Sequence, residues 1–157
     1  GSLQPGKFAV LFSGDVASVD ASHTEALRVG AVTVVDQLFL PHVEPSVYRA
    51  VVGDEQSWDE DTLGIVEAST LAGCILAADV AVKGANVRVV IMQLGDELGG
   101  KGVVHLAGEQ HDVEAALEIA AARAEDPARC VWTSIVPRYD DTLRSALAST
   151  TRFWGNG

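Results

Sequence analysis

The chain has 157 residues, 48% of them hydrophobic and only 6% aromatic, enough apolar material for one compact body with an aliphatic core. With 11 basic against 22 acidic residues the net charge is -11, which argues against a phosphate backbone as partner. No apolar run reaches membrane-spanning length, no leader pattern opens the chain, and Cys74 and Cys130 form neither a disulfide framework nor a zinc motif, so a reduced cytoplasm is expected.

In chain order, GKFAVLFSGDVASVDA from Gly6 predicts a strand over Phe8–Phe12 and then a helix. VDQLFLPHVEPSVYRAV continues with an apolar run, a proline break at Pro41 and a short helical pattern. Residues 54–61 are acidic and poor in apolar side chains, and read as a linker whose Trp58 packs on a neighbouring surface. TLGIVEA from Thr62 has the short β-branched run of a strand. Ser69 and Thr70 then offer N-cap hydroxyls to a helix whose apolar positions are Leu71, Cys74, Ile75, Ala78 and Val82. Gly84 is expected to end that helix in the left-handed conformation, with Lys83 in its negative last turn. VRVVIM is too apolar for a one-sided surface strand; LGDELGGKG turns the chain into VVHLA. The next helix carries Val113, Ala116, Leu117, Ala120 and Ala124 on one stripe. A last strand and a short helix, Asp140–Ala148, precede a tail with Phe153 and Trp154.

The chain repeats itself. GKFAVLFSGDVASVDA aligns with GKGVVHLAGEQHDVEA at the constant offset of 94 that separates Gly6 from Gly100. Gly14 then matches Gly108, Val19 matches Val113, and after two residues of slippage Pro41 matches Pro137. Four regions follow: 1–53 as the back part of a first repeat, 54–61 as linker, 62–149 as a complete second repeat, and 150–157 as tail. The first copy has no counterpart of the strand, helix and strand over 62–98, so its Phe8–Phe12 strand is expected to lack a neighbour unless a further segment supplies one. A complete unit reads strand, helix, strand, strand, helix, strand. Its tight strand–strand connection makes it an α+β, ferredoxin-like split βαβ fold with both helices on one sheet face.

LGIVEASTLAGCILAADVAVKGANVRVV, the short Gly-rich loop after it, the VEAAL helix and the strand closing in Val-Pro-Arg resemble the bacterial microcompartment shell proteins. The most specific part is AADVAVKGANV, and two domains in one chain resemble the tandem, trimeric members that imitate a hexagon. The resemblance implies a structural rather than catalytic protein. Its partners would be itself, as a homotrimer, and other shell proteins packed edge to edge in a cytoplasmic shell. Small metabolites would pass through a central pore, with no nucleic acid or membrane as partner. Position by position, Leu3, Gln4, Pro5 and Gly6 of the first copy and Asp96, Glu97, Leu98, Gly99 and Gly100 of the second fall on the pore loops. Asp96 and Glu97 would make the rim acidic if they point inward. Lys83 falls on the family's edge lysine, and His42 and Arg138 on a second edge position. Some tandem members hold an iron–sulfur cluster through pore-loop cysteines; neither loop here has one, so no cofactor and no metal is expected.

On the residues alone, a lone Lys ending a helix, as Lys83 does, is more often a dipole-compensating, solubilising residue, and the Gly-rich loop is equally an ordinary solvated turn. Gly95 to Lys101 meets the G-x4-G-K spacing of a phosphate-binding loop, but Gly102 replaces its Ser or Thr and a strand follows where a helix is needed. His23 is expected as a hydrogen-bonded, partly buried residue and His111 on the surface, and no nucleophile–histidine–carboxylate set can be assembled. The competing reading is a cytosolic ferredoxin-like oligomer binding a small regulatory ligand between subunits.

Overall fold

The computed structural model describes residues 1–4, 6–54, 57–95, 98–123, 129 and 131–148. The second repeat forms β3 (Thr62–Ala68), α3 (Leu71–Gly84), β4 (Val87–Leu94), β5 (Gly102–Gly108), α4 (Gln110–Ala122), β6 (Val131–Val136) and α5 (Asp141–Ala148). Its four strands make one antiparallel sheet in the order β4-β5-β3-β6. Because β5 lies between β3 and β4, α3 has to cross over it, which is the split βαβ arrangement.

Period-2 alternation, interrupted in β4 by a register shift between Val89 and Ile91, divides the strands between two cores. Val66, Val89, Val104 and Leu106 meet Cys74, Ala77, Ala78 and Ala81 of α3 and Val113, Ala116, Leu117 and Ala120 of α4. Leu63, Val90, Ile91 and Ala107 belong to a second cluster with Tyr139, onto which Trp58, Leu143 and Leu147 pack. Burial on both faces explains why VRVVIM has no polar alternation. Ala124, the last residue of the expected stripe, and the tail with Phe153 and Trp154 lie outside the described residues.

Thr70 caps α3, its hydroxyl accepting the Gly73 N–H at 2.9 Å. The other end corrects the expectation for Gly84. This residue is the last of the helix, and the chain leaves through Ala85 in extended geometry (φ -141°), whose N–H bonds the Ala81 carbonyl. Glycine here serves contact rather than turning: α3 lies directly on α4, and a Cβ on Gly84 would come within 2.6 Å of Ile119 Cδ1, so that side chain would have to turn aside.

The first repeat contributes α1 (Val16–Gly30), a 3-10 turn over Ala31–Thr33 and α2 (Pro45–Val51). The strand expected over Phe8–Phe12 is not formed. Only Lys7–Phe8 (β2) pairs, with Ser2–Gln4 (β1), and neither 9–14 nor 34–40 enters a sheet. In the second repeat the equivalent strand is held between β3 and β4; the described first repeat offers neither neighbour. Its apolar side chains accordingly stay in solvent, Phe8 75% and Val35 80% exposed, and α1 has no buried residue. The contrast is α2, where Val47 is fully buried against the second repeat's core. The linker is not loose over 57–61. Arg144 lies over the rings of Trp58 (5.6 Å) and Tyr139 (5.2 Å), while the Tyr139 hydroxyl donates to the Glu60 carbonyl at 2.8 Å.

Candidate pore rim and assembly edge

The loop joining β4 to β5 is closed by three backbone bonds: Gly95 N–H to Lys101 O at 2.9 Å, Leu98 N–H to Gly95 O at 3.4 Å and Lys101 N–H to Leu98 O at 3.3 Å. Gly95 has φ +78°, the left-handed region, and a Cβ there would stand 2.7 Å from Leu3 Cδ2 and 3.3 Å from Leu71 Cδ1. The glycine thus allows both the turn and the seat of a first-repeat side chain. Lys7 supplies the other contact, its Nζ donating to the Gly99 carbonyl at 2.8 Å. Leu3, Gly95, Lys7 and Gly99 therefore bring the equivalent loops of the two repeats side by side. Leu98 and Gly100 are half-buried, and Gly6 and Gly99 are exposed. Gln4 lies on β1; Pro5, Asp96 and Glu97 fall outside the described residues.

The two matching lysines are compensated differently. Lys101 pairs with Glu67 at 2.6 Å and lies 5.6 Å over the Trp132 ring. Lys7, its counterpart, meets the neutral Gly99 carbonyl.

At the far end of α3 the three residues expected at an edge separate into a pair and a single. Lys83 Nζ donates to the His42 carbonyl at 2.6 Å and to Asp79 Oδ2 at 2.6 Å. Asp79 Oδ1 accepts the Glu44 N–H at 2.8 Å, at the N-cap of α2. Arg138, the counterpart of His42, stands exposed in a turn with φ 51° and makes no described hydrogen bond to either residue.

A second polar joint links the repeats at the N-terminal end of α3. Arg129 Nη2 lies 3.0 Å from Asp36 Oδ1 and donates to the Gln37 carbonyl at 2.7 Å, while the Thr70 hydroxyl donates to Asp36 Oδ2 at 2.5 Å. Burial works against the Asp36 carboxylate, but the bonds from Arg129 and Thr70 outweigh it and hold its pKa below the usual value. The segment 36–44 is therefore pinned at both ends of α3. Sequence reasoning missed Asp36, Asp79 and Arg129. The signal for Asp79 was available, since Asp79 and Lys83 have i,i+4 spacing on an otherwise apolar helix. For Asp36 and Arg129, 93 residues apart, no local signal exists.

Among the described residues no group of three His, Cys, Asp or Glu is placed to hold a metal ion. Cys74 is buried, and burial pushes its thiol up to about 12, the state of a packing residue. His105 is buried inside the sheet and its pKa is pushed down to about 4 by desolvation; its Nδ1 finds no partner among the described residues. His111 is exposed as expected, whereas the hydrogen bond expected for His23 is not made at Nε2; its ring stacks on Phe39 at 5.8 Å. The Gly95–Lys101 loop runs into β5, so no helix N-terminus stands behind it.

Residues 62–139 match the model of the BMC domain family. The chain is 34% identical over 142 residues to the bacterial microcompartment shell protein PduT of Citrobacter freundii, covering 90% of this chain and 77% of that protein. It is 36% identical over 90 residues to the shell protein PduA of Salmonella typhimurium, 56% of this chain and 92% of that one. A crystal structure of a microcompartment protein from Desulfitobacterium hafniense superimposes with a TM-score of 0.76 at 32% identity, covering 84% of this chain and 73% of that chain. With the split βαβ sheet and the AADVAVKGANV helix in place, and this much of its length aligned, the chain belongs to the bacterial microcompartment shell proteins.

Proposed function

We propose that this protein works as a non-catalytic, tandem-domain tile of a microcompartment shell, in which 1–53 and 62–149 act as successive units of a threefold pseudohexamer. The observation that carries this reading is the meeting of the two equivalent loops, Leu3 against Gly95 and Lys7 on Gly99. Around a threefold axis such a pair becomes a ring of alternating loops, with backbone groups of Gly6, Gly99 and Gly100 lining a narrow polar passage for small metabolites; Leu3 to Pro5 and Asp96 to Leu98 belong to the same two loops in the sequence. Lys83, His42 and Arg138 form the rim that meets neighbouring tiles of the same or other shell proteins.

In this reading a strand–helix–strand segment equivalent to 62–98 packs on the first repeat in the assembled tile, which is supported by the exposure of its apolar side chains. Light scattering and negative-stain microscopy test the reading: a trimer that grows into flat sheets or tubes is expected. A monomer at all concentrations refutes the tile, and a discrete particle that binds a small metabolite without forming sheets returns the regulatory-oligomer reading.

A further inference from the structure

Asp79 is 3% exposed, on a helix whose other buried members are Gly73, Cys74 and three alanines. A carboxylate in such a place is destabilising unless each oxygen is satisfied, and here each has a partner of a different kind. Oδ1 takes the Glu44 amide, which belongs to the loop carrying His42; Oδ2 takes the Lys83 ammonium, which also bonds the His42 carbonyl. From Glu44 the order passes into α2. The Glu44 side chain accepts the Ser46 N–H at 2.6 Å, and Val47 one residue later is fully buried. An ammonium has three N–H donors, and two on Lys83 are bound within the chain. Its side chain is still 45% exposed, so one donor remains for a neighbour.

We propose that Asp79 is the positioning residue of the assembly edge, one buried carboxylate that fixes the His42 loop and the Lys83 ammonium as a single contact unit. The inference deepens the tile reading and rests on it for the role of Lys83. Lys83 alone, as a flexible surface lysine, would lose side-chain entropy each time it made the edge contact. Held by Asp79 and His42 it meets the neighbouring tile already ordered, an advantage repeated at every edge of a sheet.

The test is a double-mutant cycle read on assembly. Asp79→Asn keeps an acceptor for the Glu44 amide but loses the charge that holds Lys83, and Lys83→Met removes the ammonium from a half-exposed site. Each single variant is expected to raise the concentration needed for ordered sheets by about tenfold. The double variant is expected to be no worse than either single, because the residues act as one unit. Lys83→Arg, which keeps the charge, is expected to recover part of the loss. Additive penalties, or Asp79→Asn assembling at the wild-type threshold, overturn the proposal. A second readout does not depend on sheets: amide exchange at Glu44 in the discrete oligomer. Protection in the wild type that disappears in Asp79→Ala, with the Gly73 amide at the other end of α3 unchanged, supports the clamp. Equal exchange in the two proteins refutes it. Wild-type protein that forms no sheets but shows this Glu44 protection refutes the tile reading while leaving the clamp standing.

Discussion

His105 gives a pH dependence whose sign and size follow from its place in the sheet. It sits in the middle of β5, opposite Ile65 on one side and Ile91 on the other, and desolvation pushes its pKa from 6.5 to about 4. Between those values the unfolded chain takes up a proton that the folded chain refuses. The stability that neutral His105 contributes is therefore fully present above pH 6.5 and is lost as pH falls towards 4. At 1.36 kcal/mol per pH unit the loss amounts to about 1.4 kcal/mol at pH 5.5 and about 2.5 kcal/mol at pH 4.5. Asp36, whose pKa is lowered, adds its own acid loss only in and below the ordinary carboxylate range, so the window above pH 5 belongs to the histidine. The assay is urea unfolding from pH 8 to 4.5 for the wild type and His105→Leu. The variant is expected to match or exceed wild-type stability at pH 7, since it removes an Nδ1 that has no partner among the described residues, and to show a flatter decline. Parallel curves for the two proteins would refute the assignment and mean that the folded protein protonates His105 freely.

Three other perturbations reach the joints and loops. Arg129→Met leaves Asp36, 13% exposed at its side chain, without its cation and is expected to destabilise by about 2–3 kcal/mol in urea unfolding. The double variant with Asp36→Asn is expected to recover part of that loss, and two independent penalties would contradict the joint. Gly95→Ala combines a left-handed φ with a Cβ 2.7 Å from Leu3 Cδ2 and is expected to lower thermal stability by about 1–3 kcal/mol; adding Leu3→Ala removes the clash but not the backbone strain. Amides of Val10–Phe12 lie outside any strand, so rapid hydrogen exchange is expected in the 157-residue chain, slowing when a segment like 62–94 is supplied. Strong protection without such a segment contradicts the reading that Phe8–Phe12 lacks its neighbouring strands.

The second repeat was legible because each of its elements is specified by its own residues. Thr70 caps α3 as its position before Leu71 implies, and VRVVIM is buried on both faces as its lack of alternation requires. Gly84 was misread because a helix-final glycine has two uses, turning and close contact. Only the neighbour, Ile119 of α4, distinguishes them. For the same reason AADVAVKGANV shows Lys83 closing a helix, but it does not show the partners of that lysine. His42 lies 41 residues away in another repeat, and the Glu44 amide is a backbone group with no sequence signature.

The first repeat shows where local specification ends. GKFAVLF is as good a strand sequence as GKGVVHL, and the repeat assigns both the same role. Only the second becomes a full strand, the first pairing no further than Lys7–Phe8, because a strand is completed by its neighbours: β5 exchanges bonds with β3 on one side and β4 on the other. Without them Phe8–Phe12 keeps its apolar side chains in water, although its β propensity is unchanged. Helices behave differently, since their backbone bonds are internal. α1 forms over 15 residues, with Asp15 as its cap, even though none of its side chains is buried. α2 goes further and buries Val47 on the second repeat. What survives in the first repeat is therefore what local bonding or the second repeat can support. Beside Val47 and the Leu3 and Lys7 contacts to the β4–β5 loop, the two polar joints at the ends of α3 give that support, through Asp36 with Arg129 and through Glu44 and His42 with Asp79 and Lys83.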